Sequence, residues 1–299
     1  MRFVVTGGAG FVGNHLVKLL VKEGHQVKVI DNLHKGKMEN LEEVLDNIEF
    51  CKINIQDFDS MEKELRDIDG VFHQAALTVV QDSFTIPDEY HMVNVKGTEN
   101  IFKIAQKNNF KVVYASSSSV YGHQDVVPIL EDFEKNPINP YGKTKLDDEI
   151  LSEKYANQGV KIIGLRYFNI FGKGQTLEYA GVITKFLEKL RERKAPIIFG
   201  TGSQIRDFIH VEDVANANLL AMKSDVSFIH TNIGTGNSIS ILELAKIMID
   251  ISGLELKPIM EKALEGDIEK SQSDNSLARK LFGWKPEKKL EDWLKESIK

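Results

Sequence analysis

The stretch VVTGGAGFVGNHL, residues 4–16, joins a run of apolar and β-branched residues to an amphipathic segment through a glycine-rich turn. Gly7, Gly10 and Gly13 are spaced GxxGxxG where the predicted first strand turns into the predicted first helix. Glycine permits the tight turn and lets the backbone approach a pyrophosphate held at the helix N-terminus. The stretch therefore predicts the start of a βαβ unit that binds a dinucleotide.

The second predicted strand, QVKVID, ends in an acidic residue 24 positions after Gly7. Asp31 is placed to accept hydrogen bonds from a ribose diol, and its charge would repel a 2′-phosphate, which favours NAD over NADP. The basic residues His34, Lys35 and Lys37 favour NADP weakly. NAD is the predicted cofactor because these three residues lie beyond the end of the strand.

Strand-like runs alternate with helical patterns through the first half of the chain, at IEFCKIN, GVFHQA, KVVYASS and VKIIGLRY. This alternation predicts an α/β fold with a Rossmann-like, doubly wound parallel sheet covered on both faces. Further helices are predicted near residues 180–193, 240–252 and 288–298. We predict an NAD-binding domain at residues 1–168 and a smaller C-terminal α/β substrate domain at 169–299, with the segment near 206–235 open to either.

Composition excludes several classes of function. The chain of 299 residues has a formal net charge of -6 and no block of Lys or Arg, so we expect no nucleic-acid partner. No apolar run reaches the ~20 residues of a membrane span, and the histidines lack the spacing of a zinc site, so neither a membrane nor a metal is predicted. The single cysteine, Cys51, and the absence of a signal-like start favour the cytoplasm.

The segment INPYGKTKLDDEI places Tyr141 and Lys145 four residues apart on a helix that Asn139 and Pro140 would start. That spacing puts both side chains on one face. An ammonium within ~4 to 6 Å stabilises a phenolate, so Tyr141 could take a proton from a sugar or alcohol hydroxyl. For this pair taken alone, a solvated helix face is an equally good interpretation.

The motifs TGGAGFVG, HQAA, SSSSVYG, YGKTK, LRYFN and RDFIHVEDV, together with Asp31, cover nearly the whole chain. Their combination resembles the extended short-chain dehydrogenases/reductases of the nucleotide-sugar epimerase/dehydratase family, and within it the UDP-glucose 4-epimerases. The resemblance implies a catalytic hydroxyl at Ser117, the base at Tyr141 and the lysine at Lys145. It also implies NAD as cofactor and a homodimer formed through helices of the first domain.

The resemblance implies further contacts for both ligands. For the cofactor, besides Gly7, Gly10, Gly13, Asp31, Tyr141 and Lys145, they are Phe11, Val12, Asn32, Asn54, Ile55, Ala75, Ala76, Asn94 and Phe168. For the nucleotide sugar they are Ser83, Ser117, Ser118, Asn169, Val182, Phe199, Arg206, Asp267 and Ser271. Asn169 and Arg206 would meet the diphosphate or its neighbours, and Phe199 the uracil. A salt bridge to Asp207 or Glu212 is the alternative role of Arg206.

Three positions depart from the family pattern. Leu264 replaces an arginine that would hold the diphosphate, which leaves the nucleotide open. Ser271 replaces the bulky tyrosine of strict glucose/galactose epimerases and would leave room for an N-acetyl group. Asn54 stands where an acid is common near the adenine, and its amide can still form a hydrogen bond.

The serine run helps to choose a reaction. Related dehydratases and decarboxylases carry acidic residues where this chain has Ser118 and Ser119, and a serine hydroxyl is too weak an acid or base to replace them. We therefore predict 4-epimerisation of a UDP-hexose or UDP-N-acetylhexosamine through a 4-keto sugar. The alternatives are a net NAD-dependent oxidoreductase, which would release NADH, and a non-catalytic dinucleotide-responsive binding protein.

Overall fold

A parallel sheet of seven strands runs through the computed structural model, which describes residues 1–175, 181–263 and 267–298. Leu264 lies outside the described residues. The described residues form fourteen strands, seven of which belong to this sheet. They are β1 Arg2–Thr6, β2 Gln26–Ile30, β3 Ile48–Cys51, β4 Gly70–His73, β5 Lys111–Ser117, β6 Ile162–Tyr167, β7 Asn169–Phe171, β8 Ile197–Phe199, β9 Ile205–Arg206, β10 Phe208–His210, β11 Phe228–Ile233, β12 Ile239–Ser240, β13 Ile259–Glu261 and β14 Lys270–Ser271. The order in the large sheet is β11-β6-β5-β4-β1-β2-β3.

Helices connect the strands and cover the sheet. The α-helices are α1 Phe11–Lys22, α2 Phe58–Glu64, α3 Val80–Thr85, α4 Pro87–Tyr90, α5 Gly97–Asn108, α6 Pro140–Ala156, α7 Val182–Arg191, α8 Val211–Lys223, α9 Ile241–Ser252, α10 Ser276–Phe282 and α11 Leu290–Ile298. A π-helical turn, His91–Lys96, leads into α5, and 3-10 turns cover Met38–Asn47 and Ser118–Val120. The α/β prediction of a Rossmann-like, doubly wound parallel sheet is confirmed.

Alternation along each strand divides the core between the two faces of the sheet. In β1, Phe3 and Val5 pack with α1 and α8 on one face, whereas Val4 packs with α2 and α5 on the other. Both faces are apolar because a parallel sheet is covered by helices on both sides. This burial keeps the carboxyl ends of β1, β2, β4 and β5 together at one edge, where ligands bind in such folds.

The chain returns to the large sheet after residue 168. β11 pairs in parallel with β6 at the sheet edge, and α8 packs against α1. Both α8 and β11 lie within residues 206–235, the segment that the sequence did not assign to either domain. The division at residue 168 stays a prediction.

A separate apolar cluster forms in the C-terminal part, around α7, α9 and α11. The helices predicted near 180–193, 240–252 and 288–298 correspond to these three elements. Ser240 accepts a hydrogen bond from the Glu243 amide and so caps α9. Within the described ranges, no helix has both the length and the apolar character needed to cross a membrane.

Candidate active site

The turn between β1 and α1 is closed so tightly that side chains are excluded from it. A Cβ on Gly7, where φ is +68°, would lie 2.7 Å from the backbone nitrogen of Ala75. A Cβ on Gly13 would lie 2.1 Å from the carbonyl oxygen of Gly7. Gly10 occupies the N-cap of α1 without a capping side chain. The helix N-terminus is therefore open to a ligand that backbone amides can bind.

Asp31 follows β2 directly, and its carboxylate is held by the neighbouring turns. Its oxygens accept hydrogen bonds from the amides of Ala9 at 3.0 Å and Leu33 at 2.8 Å. Burial raises the pKa of Asp31 above its ordinary value, although these two amides act against that shift. Gly36 passes so close that a Cβ there would lie 2.8 Å from both oxygens. The carboxylate is thereby fixed at the edge of the cleft beside the glycine turn.

One cavity of about 520 Å³ runs along the carboxyl ends of the central strands. Its walls carry most of the residues predicted to contact a cofactor. They are Gly7, Gly10, Phe11, Val12, Gly13, Asp31, Asn32, Asn54, Ile55, Ala75, Ala76, Tyr141, Lys145 and Phe168. Ser117, at the end of β5, lines the same cavity as Tyr141 and Lys145.

The start of α6 is fixed at several points, which orients Tyr141 and Lys145. Asn139 caps the helix by accepting the Gly142 amide at 2.7 Å, as its position before Pro140 predicts. The Tyr141 amide donates to the Ser83 hydroxyl at 3.1 Å. Further along the helix, the Lys145 ammonium is buried beside Asp148, with 3.2 Å between Nζ and Oδ2.

The four consecutive serines have different surroundings. Ser116 donates to Glu149 at 2.6 Å, and Glu149 forms a bidentate ion pair with Arg166 on β6. Ser117 accepts the Ser119 amide at 3.1 Å while lining the cavity. The arrangement ties α6 to the sheet through Ser116 and leaves the Ser117 hydroxyl at the cleft.

A second cavity of about 220 Å³ lies against the C-terminal part of the chain. Five residues predicted to contact the nucleotide sugar line it, namely Asn169, Val182, Phe199, Arg206 and Asp267. Ile170 and Gln175 line both cavities. The two spaces therefore adjoin, as one cleft for a cofactor and a second ligand requires.

Arg206 forms an ion pair with Asp267 across the second cavity. The two residues proposed as alternative partners of Arg206 are engaged elsewhere. Asp207 accepts hydrogen bonds from the hydroxyls of Thr235 and Ser273, and Glu212 pairs with Lys288 at 3.0 Å. Asp207 and Glu212 are therefore not the partners of Arg206, whose salt bridge is to Asp267 instead, and the role of Arg206 as a ligand contact stays a prediction.

Comparison with known proteins identifies the family. The model of the NAD dependent epimerase/dehydratase family matches residues 3–234. The chain belongs to this family. It is 38% identical over 302 residues to a putative UDP-glucose 4-epimerase of Methanocaldococcus jannaschii, covering 99% of this chain and 96% of that one. It is 34% identical to a UDP-N-acetyl-alpha-D-glucosaminuronate decarboxylase of Bacillus cytotoxicus, covering 99% and 96%.

A solved structure has the same fold over nearly its whole length. It is the UDP-N-acetylglucosamine 4-epimerase from Methanobrevibacter ruminantium M1 in complex with UDP-N-acetylmuramic acid. Its TM-score is 0.94 at 36% identity, with 99% of this chain and 96% of that chain covered. The resemblance inferred from the motifs is thereby confirmed.

NAD is the cofactor of this epimerase/dehydratase family, and the first cavity fits it. The glycine turn brings backbone amides and the start of α1 to the cavity, where a pyrophosphate can bind. Asp31 presents a carboxylate for the ribose hydroxyls. His34 and Lys35 also line the cavity, beyond the strand end.

Four predicted contacts, Asn94, Ser83, Ser118 and Ser271, do not line either cavity, and their roles as ligand contacts stay predictions. Asn94 is buried and binds the backbone of Leu77 through both its amide oxygen and its amide nitrogen. Ser83 is buried and donates to the Val80 carbonyl. Ser118 begins the 3-10 turn after β5. Asn94 and Ser83 thus support the loop after β4 and the start of α6.

Ser271 lies just behind the second cavity, 94% buried on β14. Its hydroxyl accepts a hydrogen bond from the Asn169 side chain at 3.4 Å. Asn169 in turn lines the cavity and also donates to the Asp207 carbonyl at 3.2 Å. A small residue at position 271 therefore supports the cavity wall through Asn169.

Sequence reasoning did not identify Asp148 as the partner of Lys145. The signal was present, because an acid three residues after a lysine lies on the same helical face. His73 is buried in a chain of hydrogen bonds with Thr6 and Thr98. Burial, and to a lesser degree the charge of Lys145, lowers the pKa of His73 to about 3, so this imidazole is neutral.

Among the described residues, one acidic cluster has the spacing of a metal site, formed by Glu49, Cys51 and Glu64. Lys28 pairs with both acids, with its ammonium 2.7 Å from Glu64 and 3.2 Å from Glu49. Burial raises the pKa of the Cys51 thiol, which keeps it protonated. The cluster is therefore explained by the ion pairs that it forms with a lysine.

Proposed function

We propose that this protein is an NAD-dependent UDP-sugar 4-epimerase that accepts UDP-N-acetylhexosamines. One observation carries the proposal. Ser117, Tyr141 and Lys145 line one cavity at the end of β5, while the next two positions, 118 and 119, hold serines. The cavity therefore has the groups that proton transfer at an alcohol needs, without a carboxylate in the serine run for chemistry at C5.

Each of these three side chains has a defined task in the proposed reaction. Ser117 holds the 4-oxygen of the sugar, and Tyr141 removes the proton of the 4-hydroxyl. Lys145 stabilises the phenolate that Tyr141 must become before it can act. Bound NAD supplies the acceptor, and later the donor, of the hydride at C4. The 4-keto sugar turns over between the two transfers, and Tyr141 returns the proton.

The second cavity would hold the nucleotide. Arg206 presents a guanidinium whose planar fork suits phosphate oxygens, and Phe199 presents an aromatic face for the base. In the structure Arg206 is paired with Asp267, so a diphosphate would have to share or replace that ion pair. Asp267 would then be free to accept hydrogen bonds from the ribose of the nucleotide.

The test is to incubate the purified protein with UDP-glucose, UDP-galactose and their N-acetylated counterparts. Anomeric protons are followed by NMR and NADH by absorbance. We expect each pair to reach equilibrium without free NADH, and Tyr141→Phe to lose about 10²-fold or more in rate because general base catalysis is removed. Stoichiometric NADH release would instead support the oxidoreductase alternative, and NAD binding without turnover the binding-protein alternative.

Specificity for the acetamido sugar depends on Ser271. Ser271→Tyr is expected to lower kcat/KM for UDP-N-acetylglucosamine about tenfold or more while retaining UDP-galactose turnover, because the ring would not fit behind Asn169 and would push this wall residue towards the bound sugar. Ser271→Ala is the matched control and should accept both substrates. If wild-type protein shows no activity on UDP-N-acetylglucosamine, the specificity proposal is wrong.

A homodimer and a cytoplasmic location are also part of the proposal. Four large apolar side chains are exposed on neighbouring helical segments of the first domain, namely Phe84, Ile86, Met92 and Ile150. The elements that carry them, α3, the following turns and α6, contact one another, which supports pairing through this face. Sedimentation equilibrium of wild type and Ile150→Glu tests it: we expect a dimer that the glutamate weakens.

A further inference from the structure

The catalytic lysine is paired with a fully buried acid. Lys145 is 3% exposed and Asp148 is 0% exposed, and one turn of α6 separates them. Nζ of Lys145 lies 3.2 Å from Oδ2 of Asp148. The other carboxylate oxygen, Oδ1, is buried and has no hydrogen-bond partner among the described residues. The pair therefore leaves half of a carboxylate unsatisfied inside the protein.

Such an arrangement is costly for a residue that serves packing alone. A buried carboxylate loses its hydration, and an oxygen without a partner recovers none of that free energy. Burial accordingly raises the pKa of Asp148 to about 7, against the opposing effects of Lys145 and a hydrogen bond from Thr98. An apolar side chain of similar size would often be as stable or more so at such a position. The acid is better explained by its effect on Lys145.

A chain of hydrogen bonds runs from the cofactor loop to Thr98, which lies beside Asp148. The Ala75 amide donates to the Thr6 hydroxyl at 3.4 Å, and Thr6 lies 2.6 Å from Nδ1 of His73. Nε2 of His73 lies 2.9 Å from the hydroxyl of Thr98. If Thr6 donates to Nδ1, the neutral imidazole carries its proton on Nε2 and donates to Thr98, whose own proton is left for Asp148.

The other charged or titratable groups around Asp148 are engaged or neutral. Glu149, next along α6, is bound to Arg166 of β6, and Asp147 pairs with Lys143 at 2.7 Å on the surface. From β5, the Tyr114 hydroxyl donates to Ser152, and burial raises the pKa of Tyr114. From β4, His73 is neutral. Lys145 is thus the cation whose charge Asp148 balances once its own carboxyl is ionised, above about pH 7.

A base that takes a proton and later returns it must not be held too firmly as an anion. Catalytic proton transfer is most efficient when the proton affinities of base and substrate are matched near the working pH. An unbalanced ammonium would over-stabilise the phenolate of Tyr141 and make it a weaker base. A carboxylate behind the lysine reduces that effect without displacing the lysine.

Building on the proposed role of Tyr141 as base, we propose that Asp148 is a positioning residue for Lys145. It holds the ammonium in place and offsets part of its charge, so that the Tyr141 phenolate forms at a higher pH than Lys145 alone would allow. Asp148 itself touches neither substrate nor cofactor in this proposal. It acts through Lys145.

The experiment titrates the phenolate directly in NAD-loaded protein. Absorbance near ~295 nm is recorded against pH for wild type and for Asp148→Asn, each after subtraction of the same protein carrying Tyr141→Phe. Tyr114, Tyr121 and Tyr167 do not interfere, because burial raises the pKa of each. Asparagine keeps an oxygen that can accept from Lys145 but removes the charge. We expect the Tyr141 phenolate to develop on the order of one pH unit lower in Asp148→Asn.

Asp147→Asn is the matched control. It removes the same charge from the residue next to Asp148, where the carboxylate belongs to the surface ion pair with Lys143, and it should leave the titration unchanged. An unchanged titration in Asp148→Asn would overturn the proposal. So would a shift to higher pH, because it would mean that Lys145 loses its charge when Asp148 is neutral. If Asp148→Asn does not fold, Asp148→Leu removes the charge in an apolar form and should give the same shift.

Activity provides a second readout. The acidic limb of the kcat profile for UDP-galactose should move to lower pH in Asp148→Asn, with KM changed less than twofold, since Asp148 does not touch the sugar. The two proposals fail in different ways. Absence of epimerase activity in wild type would refute the proposed function, whereas the absorbance titration would still decide the role of Asp148.

Discussion

The buried carboxyl of Asp148 should make the stability of the protein depend on pH. Its folded-state pKa is about 7, compared with 3.8 for an unperturbed aspartate. The folded protein therefore binds this proton more tightly than the unfolded chain does. The stability that the neutral carboxyl contributes is fully present below about pH 4 and is lost as the pH rises towards 7.

The size of this effect follows from the difference between the two pKa values. Roughly three pH units at 1.36 kcal/mol each correspond to about 4 kcal/mol. Asp148→Asn keeps the shape of the neutral form and cannot ionise. The free energy of unfolding of Asp148→Asn, relative to wild type, should therefore rise by up to about 4 kcal/mol between pH 4 and pH 8.

Urea unfolding followed by circular dichroism at several pH values measures this difference. Only the change of this free-energy difference with pH tests the prediction, because any pH-independent destabilisation by the asparagine cancels. Asp147→Asn again serves as the control and should show a difference that is nearly independent of pH, since Asp147 lies at the surface in an i,i+4 pair with Lys143. A difference for Asp148→Asn that is flat or falls across this range would refute the reasoning.

Three further predictions concern the supports of the site. Arg166→Met leaves the buried carboxylate of Glu149 without its bidentate partner and should lower the free energy of unfolding by about 3–5 kcal/mol in urea, compared with less than about 1 kcal/mol for Lys143→Met. Gly13→Ala should weaken NAD binding at least tenfold by calorimetry, because the new Cβ would lie 2.1 Å from a backbone oxygen. Gly10→Ala, with 3.1 Å at the corresponding contact, should lose less. Asp31→Ser should weaken NAD binding about tenfold. It should also reduce the ratio of the protein's affinity for NAD to its affinity for NADP, measured by the same method.

Local patterns account for what could be predicted from the sequence. Apolar periodicity identified β1 to β6 and the helices α1, α7, α9 and α11, and the glycine spacing located the dinucleotide turn, because a turn needs its glycines within a few residues. Asp31 was identified for the same reason, since it ends the strand that follows. Asn139, Pro140 and the spacing from Tyr141 to Lys145 placed both side chains on one face of a helix, which the structure has as α6.

The remaining features depend on pairs of residues that are distant in sequence. Arg206 and Asp267 are 61 residues apart in the sequence. They meet because β9 and β14 are neighbouring strands in the folded chain. The chain from Ala75 through Thr6, His73 and Thr98 joins three separate segments of the first domain. Short-range rules describe backbone geometry and helical faces, but desolvation and long-range hydrogen bonding arise only when the packed core removes water. For that reason the residue types in the site could be listed from the sequence, whereas the burial of Lys145 beside Asp148 and the choice of partner for Arg206 were decided by tertiary packing.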